Sequence, residues 1–470
     1  MKQKTLYGIL WTASALALAA CGGGGGGGST PTPTPSPTAT PPPAEPDFVS
    51  CVGTTCTITG DVDQDYTLVS SRNWIIDGVV RVGAGNVNLA DAAAVQAVKA
   101  AGVTLTIQPG VSVKATPDAS LLVTRGSKLV ANGTAAAPIT FSSLDADFDG
   151  EGEWGGIVIQ GFAPQFGQGN TGPCFGTGTV CNVAGAGGDF TGVYGANDPA
   201  DNSGVLRYVR IAEGGLIAGP NNEVNGLTLM GVGHGTVLEY IQVHGNLDDG
   251  IEWFGGTVNA RYLVLTNNDD DDLDYDEGYQ GNIQYAIIRK NPTKQSPTGS
   301  NDPRLIEANS SNAAYVPQTN AAIANVTGIG SQVSAGQRGF LLRGAVQTSI
   351  YNTALTGVTL ECIDIDNAVI NDQTVAEANI SLVNVLGDCG GNFVRDLAPG
   401  TQTNAGKATV TLDAAYAMGA SGNLAAAPQM SPVNNGSPFT FDATDYVGAV
   451  KPGTPAAQAW WSGWTIPGSL

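Results

Sequence analysis

The chain has 470 residues, 65 of them glycine, and its 41 acidic against 20 basic side chains leave a formal net charge of −21. An acidic balance of this size argues against nucleic acid and anionic lipid as partners and favours cations. Abundant glycine with sparse charge suits many short strands joined by tight turns and argues against a helical bundle.

The first twenty residues read as an export signal. Lys2 and Lys4 give a positive start, and the apolar run Leu6–Ala20 is too short to span a bilayer. It ends in Leu18-Ala19-Ala20-Cys21, which resembles the lipobox of bacterial lipoproteins. That resemblance implies cleavage before Cys21 and acylation of the cysteine. With Gly22 following in place of Asp, it also implies release to the outer membrane. Each buried acyl methylene adds roughly 0.8 kcal/mol, so several chains at one residue hold a protein on a membrane without a spanning helix. The glycines from Gly22 to Gly28 and the Pro/Thr-rich stretch after them cannot build a core. Residues 21–46 are therefore expected to be a disordered tether, reaching roughly 50 Å at about 3.1 Å per residue in its Pro/Thr part.

Residues 47–441 read as one solenoid domain, with 442–470 expected to cap its open end. Trp74–Val82 reads as a strand, Asp91–Ala101 as a short alanine-rich helix, and the runs from Leu105 and Leu121 as strands with turns at Gly110, Gly126 and Gly133. The clearest pattern lies in residues 236–291. A shift of 22 puts Asp248-Asp249 on Asp270-Asp271, Ile251 on Leu273, Glu252 on Asp274 and Trp253 on Tyr275. A shift of 24 puts Gly226-Leu227-Thr228-Leu229 on Gly250-Ile251-Glu252-Trp253, and a shift of 22 puts Gly339–Arg343 on Glu361–Ile365. Repeats this short, with alternating strands and no helical period, predict an all-β, single-stranded parallel β-helix. Six cysteines besides Cys21 fall in sequence-local pairs, and export predicts the disulfides Cys51–Cys56, Cys174–Cys181 and Cys362–Cys389 on proximity.

Several stretches carry a family resemblance: Leu105–Gly110 (LTIQPG), Ala131–Thr134 (ANGT), Pro138–Phe141 (PITF), Gly152–Ile157 (GEWGGI) and the run Leu206–Tyr285. With Asp445–Ala449 and Trp460–Thr465 near the end, they resemble bacterial surface lipoproteins with a pectin-lyase-like right-handed parallel β-helix. The resemblance covers most of the mature chain. It implies a fold and a surface location, and no assigned reaction.

Candidate chemistry is dominated by carboxylates. In the 22-residue register Asp249 lies above Asp271 and Glu252 above Asp274, within a run that adds Asp269, Asp270, Asp272, Asp276 and Glu277. Two unit charges about 5 Å apart repel by about 3 kcal/mol at an effective dielectric near 20. A cation is therefore expected at Asp249, Asp270, Asp271, Asp272 and Asp274, and hard oxygen ligands in number favour calcium. A second calcium candidate is Asp145-Ala146-Asp147-Phe148-Asp149-Gly150-Glu151, the opening of a calcium loop whose twelfth position is Gly156. Its missing ligand is expected from Glu151 or Glu153. The acidic stretch Asp61–Asp65 is a lesser candidate, and solvated acidic turns are the alternative for all three.

Tyr208, Tyr240, Tyr262 and Tyr285 take equivalent strand positions, with Val209, Ile241, Leu263 and Ala286 next to them pointing inward. The tyrosines should form an external ladder, either a strip that grips a glycan or a plain stack. For catalysis, His244, Asp248, Asp249 and Glu252 could supply the acidic pair of a glycosidase. Arg210, Arg261 and Arg289 are candidates by position for the base of a calcium-dependent lyase. The expectation is a lipid-anchored, calcium-stabilised β-helix that binds polysaccharide or another extracellular surface, with no nucleic-acid partner. The alternatives are a polysaccharide lyase or glycosidase, and a structural spacer or assembly subunit.

Overall fold

Alternating Val, Ile and Leu turn one side of every strand inward, and the turns between strands let the chain close one coil and begin the next. The computed structural model describes residues 44–145, 147–165, 180, 182–185, 190–215, 217–219, 222–294, 303–311, 315–366, 379–396 and 398–470. From residue 45 onward the coils stack as a parallel β-helix with three strand faces. One face consists of short strands, among them Ile157–Gln160, Leu227–Met230, Ile251–Phe254, Leu273–Asp276, Arg304–Ser310, Arg338–Gly344 and Ile363–Asp366, each paired in parallel with the next. The other two faces are the halves of longer strands, such as Gly204–Ala212, Val237–His244, Ala260–Thr266, Gln280–Arg289 and Gln347–Val358.

Each long strand bends at a single left-handed residue. Tyr208, Tyr240, Tyr262, Tyr285, Asn325, Asn352 and Asn384 all have φ between 47° and 66°. Asn tolerates this conformation and Tyr seldom adopts it. Stacking accompanies the cost here: neighbouring tyrosine rings lie parallel at 4.3, 4.3 and 4.9 Å, and the asparagines continue the row by side-chain hydrogen bonds such as Asn384 Nδ2 to Asn352 Oδ1 at 2.9 Å.

The expected register holds in the central coils, where Leu227 lies on Ile251, Ile251 on Leu273 and Glu252 on Asp274. Farther on, the step is 23 residues: Phe340 lies on Ile363, not on Cys362. The extra residue keeps both Phe340 and Ile363 inside the core. That core is one continuous column, filled by large side chains such as Trp74, Phe141, Trp154, Trp253 and Tyr275. The expected helix forms at Ala92–Ala101, its first turn capped by the Asp91 carboxylate accepting from Ala94 N.

An antiparallel pair, Val49–Val52 on Thr55–Val62, opens the domain and holds the Cys51–Cys56 bridge, while Cys362–Cys389 joins strands near the other end. The third expected pair, Cys174–Cys181, lies outside the described residues, as do Cys21 and most of the tether. An excursion between Gln160 and Gly204 places Val183 and Tyr194 on the outside of the short-strand face, against Leu122, Val158, Met230 and Phe254. Arg125 ties it down by donating to the carbonyls of Gly85, Val87 and Gly195.

The segment expected to cap the open end lies elsewhere. Residues 430–470 run along the flank where the long strands bend, as a strap without regular strands. Polar side chains at the bend hold it: Val433 N donates to Asn282 Oδ1 at 2.7 Å, Asp442 N to Gln284 Oε1 at 2.9 Å and Ile466 N to Gln242 Oε1 at 2.7 Å. The final coil strands, Val394–Asp396, Thr401–Thr403 and Gly406–Lys407, are short and polar. Short, polar, charged edge strands resist pairing with other chains, so this end is protected without a lid.

Candidate functional site

Along the short-strand face, residues whose strand neighbours point inward must themselves point outward. One outward row, read through the register, is Thr228, Glu252, Asp274, Glu307, Leu341, Asp364 and Arg395. The turn residues just before these strands add Asn225, Asp249 and Asp271, and Arg304 opens its own strand. The excursion covers part of the face with its apolar cluster as far as Phe254, and the acidic part begins beside it at Glu252 on the same strand.

There, one carboxylate oxygen from each of Asp249, Glu252 and Asp274 lies within 4.8 Å of the others, and Asp248, Asp249 and Asp270 form an overlapping group at the same spacing. Asp249 Oδ1 accepts from Asp271 N at 2.9 Å, and Asn225 Nδ2 donates to Glu252 Oε2 and, at 3.3 Å, to Thr228 Oγ1. Two acceptors are left over: Asn225 Oδ1 and Asp274 Oδ1 are buried and receive no hydrogen bond. Burial first, and neighbouring carboxylates second, push Asp249, Glu252, Asp271 and Asp274 well above the usual carboxylate range.

The chain itself neutralises the carboxylates around this group. Lys290 Nζ lies 2.9 Å from Asp272 Oδ2, and Lys294 Nζ lies 2.6 Å from Asp269 and 2.5 Å from Glu151. Arg304 reaches Asp271 at 3.6 Å and Glu307 at 2.6 Å, and Arg343 meets Glu307 at 2.9 Å. Arg338 holds Asp364 at 2.8 Å, with Arg395 at 3.4 Å from the same carboxylate. Of the calcium ligands expected here, Asp271 and Asp272 thus have cations from the next coils, whereas Asp249, Asp270 and Asp274 belong to the clusters described above.

The second expected cation site comes together with one change of ligand. Carboxylate oxygens of Asp145, Asp147, Asp149 and Glu213 lie within 4.8 Å of one another. Glu151, expected among them, is drawn off by Lys294. Glu213 supplies the missing fourth carboxylate from the end of the strand Gly204–Ala212, in a left-handed conformation with φ 66°. It is fully buried, accepts from Ser143 Oγ at 3.0 Å, and has its pKa raised by that burial. No sequence period points to it. A cleft of about 530 Å3 opens beside this loop, lined by Asp147, Asp149, Glu151, His244, Asn267 and Ser469 among others. The lesser acidic stretch does not converge: Asp61 faces Arg81 at 3.5 Å and Asp65 accepts from Thr104 N at 2.7 Å.

Three further expectations are corrected. The tyrosine ladder is external to the coil but not an open ligand face, because the strap covers it. Trp464 sets its edge on Tyr208 and Tyr240, Trp460 packs on Tyr262, and Asp442 Oδ2 accepts from the Tyr285 hydroxyl. Arg210, Arg261 and Arg289 are strap ligands, donating respectively to the carbonyls of Trp464, Thr440 and Ser469, so none serves as a base beside the acidic face. His244 is buried at the end of its strand, where its ring nitrogens are engaged by Thr266 Oγ1 at 2.7 Å and Phe148 O at 3.1 Å rather than by a carboxylate. The desolvation that buries it also lowers its pKa.

A family model described as "Pectate-lyase like beta helix domain" matches residues 88–465. No curated protein matches the sequence significantly. Among solved structures, a double mutant of the periplasmic alginate epimerase AlgG is similar at 12% identity over 77% of this chain and 80% of that chain, with a TM-score of 0.32. The catalytic domain of a GH87 alpha-1,3-glucanase variant in complex with tetrasaccharides is similar at 10% identity over 79% of this chain and 71% of that chain, with a TM-score of 0.27. These likenesses are of fold alone.

Proposed function

This chain belongs to the pectate-lyase-like β-helix domain family, and from that premise we propose that it is an exported, lipid-anchored surface protein that binds polysaccharide on the outer side of its short-strand face. The lipobox-like sequence before Cys21 and the Gly- and Pro/Thr-rich stretch after it support anchoring and display. One observation carries the binding role: carboxylate oxygens of Asp249, Glu252 and Asp274 converge within 4.8 Å of one another, while Arg304, the cation whose charge acts on Asp274, is paired with Asp271 and Glu307 instead. Uncompensated like charges on a folded surface are costly, so a site that keeps them is built for a ligand. Calcium binding at Asp145, Asp147, Asp149 and Glu213 forms part of the same proposal, as a stabiliser of the adjoining loop; four carboxylates provide hard oxygen ligands there.

A specific observation also favours a second reading, polysaccharide cleavage. Glu252 and Asp274 are adjacent carboxyls with raised pKa values, and a protonated carboxyl beside an ionised one is the equipment of glycoside hydrolysis.

The test is affinity electrophoresis of the full-length protein through gels containing neutral, uronate-bearing or amine-bearing polysaccharides, with Glu252→Gln and Asp274→Asn in parallel. Retardation by at least one polymer, lost in both variants, is the expected result. Retardation by none removes the binding role. New reducing ends or unsaturated products in the same incubations would move the assignment to the second reading. For the anchor, incorporation of a labelled fatty acid should vanish in Cys21→Ser.

A further inference from the structure

We infer that the space between Asn225, Asp249, Glu252 and Asp274 is shaped for one protonated primary amine, so that the polysaccharide bound here carries unacetylated amino sugars. This rests on the reading of the short-strand face as a polysaccharide surface, and narrows it to one chemical class.

The first support is the kind of atom left unsatisfied. Asn225 is 2% exposed and spends its amide nitrogen on Glu252 and Thr228, leaving Oδ1 without a donor. Asp274 Oδ1 is equally without one. Both orphans are acceptors, so the missing partner must bring donors, and three carboxylates around it require that it be positive.

The second support is the number of acceptors. One oxygen each from three carboxylates, mutually within 4.8 Å, matches the three N–H bonds of an ammonium group. A calcium ion takes about six to eight oxygens. Here one oxygen of Asp249 is engaged by Asp271 N and one of Glu252 by Asn225, so the trio is a lean shell for such an ion.

The third support is a precedent in the same turn stack. Lys290 Nζ sits among three oxygens, Asp272 Oδ2 at 2.9 Å, Asn268 O at 3.2 Å and the carbonyl of Asp270. Lys294 Nζ bridges Asp269 and Glu151. The coil geometry of this face therefore already holds ammonium groups between its acidic turns. The amine of a bound sugar would take at Asp249, Glu252 and Asp274 the place that lysines take beside them.

Charge also limits how many such amines fit. To one side, the apolar cluster containing Tyr194, Met230 and Phe254 reaches the coil of Glu252 itself. One coil beyond Asp274, Glu307 is already held by Arg304 and Arg343. A chain running along the axis advances about 4.8 Å per coil, so it meets unneutralised carboxylates on two successive coils and guanidinium groups after them.

The experiment is calorimetric titration of the full-length protein with a glucosamine hexamer, its fully N-acetylated counterpart, and a uronate hexamer with and without calcium. Binding of the amine-bearing hexamer at least about thirtyfold tighter than of the acetylated one is expected, as for any desolvated charge pair. Glu252→Gln and Asp274→Asn should each remove that preference while keeping a cooperative melt. Because burial and the neighbouring carboxylates raise the pKa of these carboxyls and a cation would lower it again, amine binding should be coupled to proton release, seen as a dependence of the heat on buffer ionisation enthalpy. Equal affinity for the two hexosamine hexamers would overturn the amine assignment and leave the polysaccharide role standing, and so would a calcium-dependent preference for the uronate. Binding of none of them would remove both.

Discussion

Glu252 and Glu307 stand in the same outward row of the same face, two coils apart, yet their surroundings differ in kind. Glu307 receives one guanidinium on each oxygen, from Arg304 at 2.6 Å and Arg343 at 2.9 Å. Glu252 faces Asp274 and, among the described residues, receives the Asn225 amide and no cation. Both glutamates sit in the same parallel strand pairing, so pairing alone does not explain the difference; the longer coil between Asp274 and Glu307 brings in Arg304. In the downstream stretch the carboxylates are structural, part of an ion-pair lattice that ties coils together. In the upstream stretch they oppose folding, and their persistence points to a ligand.

The comparison is broken most forcefully at Arg304, whose side chain is 12% exposed and serves both Asp271 and Glu307. Replacing it by Ala leaves two carboxylates buried with their main cation gone, which costs about 3–5 kcal/mol. Urea unfolding should show the loss. A change under 1 kcal/mol would mean that the downstream pairs are ornamental and that the two stretches do not differ.

One substitution made at both places sharpens it further. Glu307→Gln takes the charge from a matched lattice and should destabilise by about 2 kcal/mol. Glu252→Gln takes a charge from a repelling group and should stabilise the ligand-free protein at pH 8 by about 1 kcal/mol, a fraction of the full repulsion of about 3 kcal/mol between unit charges about 5 Å apart. Opposite signs from the same chemical change are the expected outcome of paired denaturation curves; equal signs would deny the distinction.

Acidity follows from the same logic. Burial pushes Asp276 up to about 7 and Glu277 up to about 8, with the Tyr194 hydroxyl donating to Glu277. A carboxyl raised in this way binds its proton more tightly in the folded than in the unfolded chain. Its stabilising contribution is fully present below the ordinary carboxylate value near 4 and is lost as pH rises through the folded value. Melting temperature should therefore fall between about pH 5 and pH 9, and Glu277→Gln should flatten the upper part of that fall. A melt that rises over this range would contradict the burial of these groups.

How much of this was legible in the sequence depends on whether the 22-residue period was intact. Ile251, Glu252 and Trp253 land on Leu273, Asp274 and Tyr275 as read, because no insertion separates those coils. The same period also carries Asn246 to Asn268 to Lys290, so the lysine that neutralises Asp272 could have been found by one more step of the repeat. Arg304 could not: it follows Asp271 by 33 residues, across an interrupted coil. The strap was illegible for a different reason. Its arginine partners lie 179 to 254 residues away in sequence, and its own atoms in these contacts are backbone carbonyls, which leave no pattern of side chains. The tyrosine ladder was therefore legible as an external stack, and of its two readings the strap rules out the open glycan strip.

The smallest effect, and a third way of handling crowded carboxylates, belongs to the loop at Asp145, Asp147 and Asp149. There the aspartates are exposed and Glu213 is buried, and Lys114 meets the loop at the Asp145 carbonyl. Asp147 is raised chiefly by its hydrogen bond to Asp149 and next by the charge of that neighbour. Calcium at about a hundred times its dissociation constant would add about 2.7 kcal/mol of stability, which in a domain of this size is a rise of a few degrees in Tm. Glu213→Gln should remove that rise as completely as Asp149→Ala, although Glu213 is distant in sequence from the calcium-loop pattern, whereas Glu153→Gln should leave it unchanged. If Glu213→Gln keeps the full calcium response, the buried glutamate is a structural hydrogen-bond acceptor for Ser143 and the loop acids are solvated. If it abolishes the response, the molecule neutralises crowded carboxylates in three ways: with its own arginines and lysines downstream, with a metal ion at the loop, and with a ligand at Glu252 and Asp274.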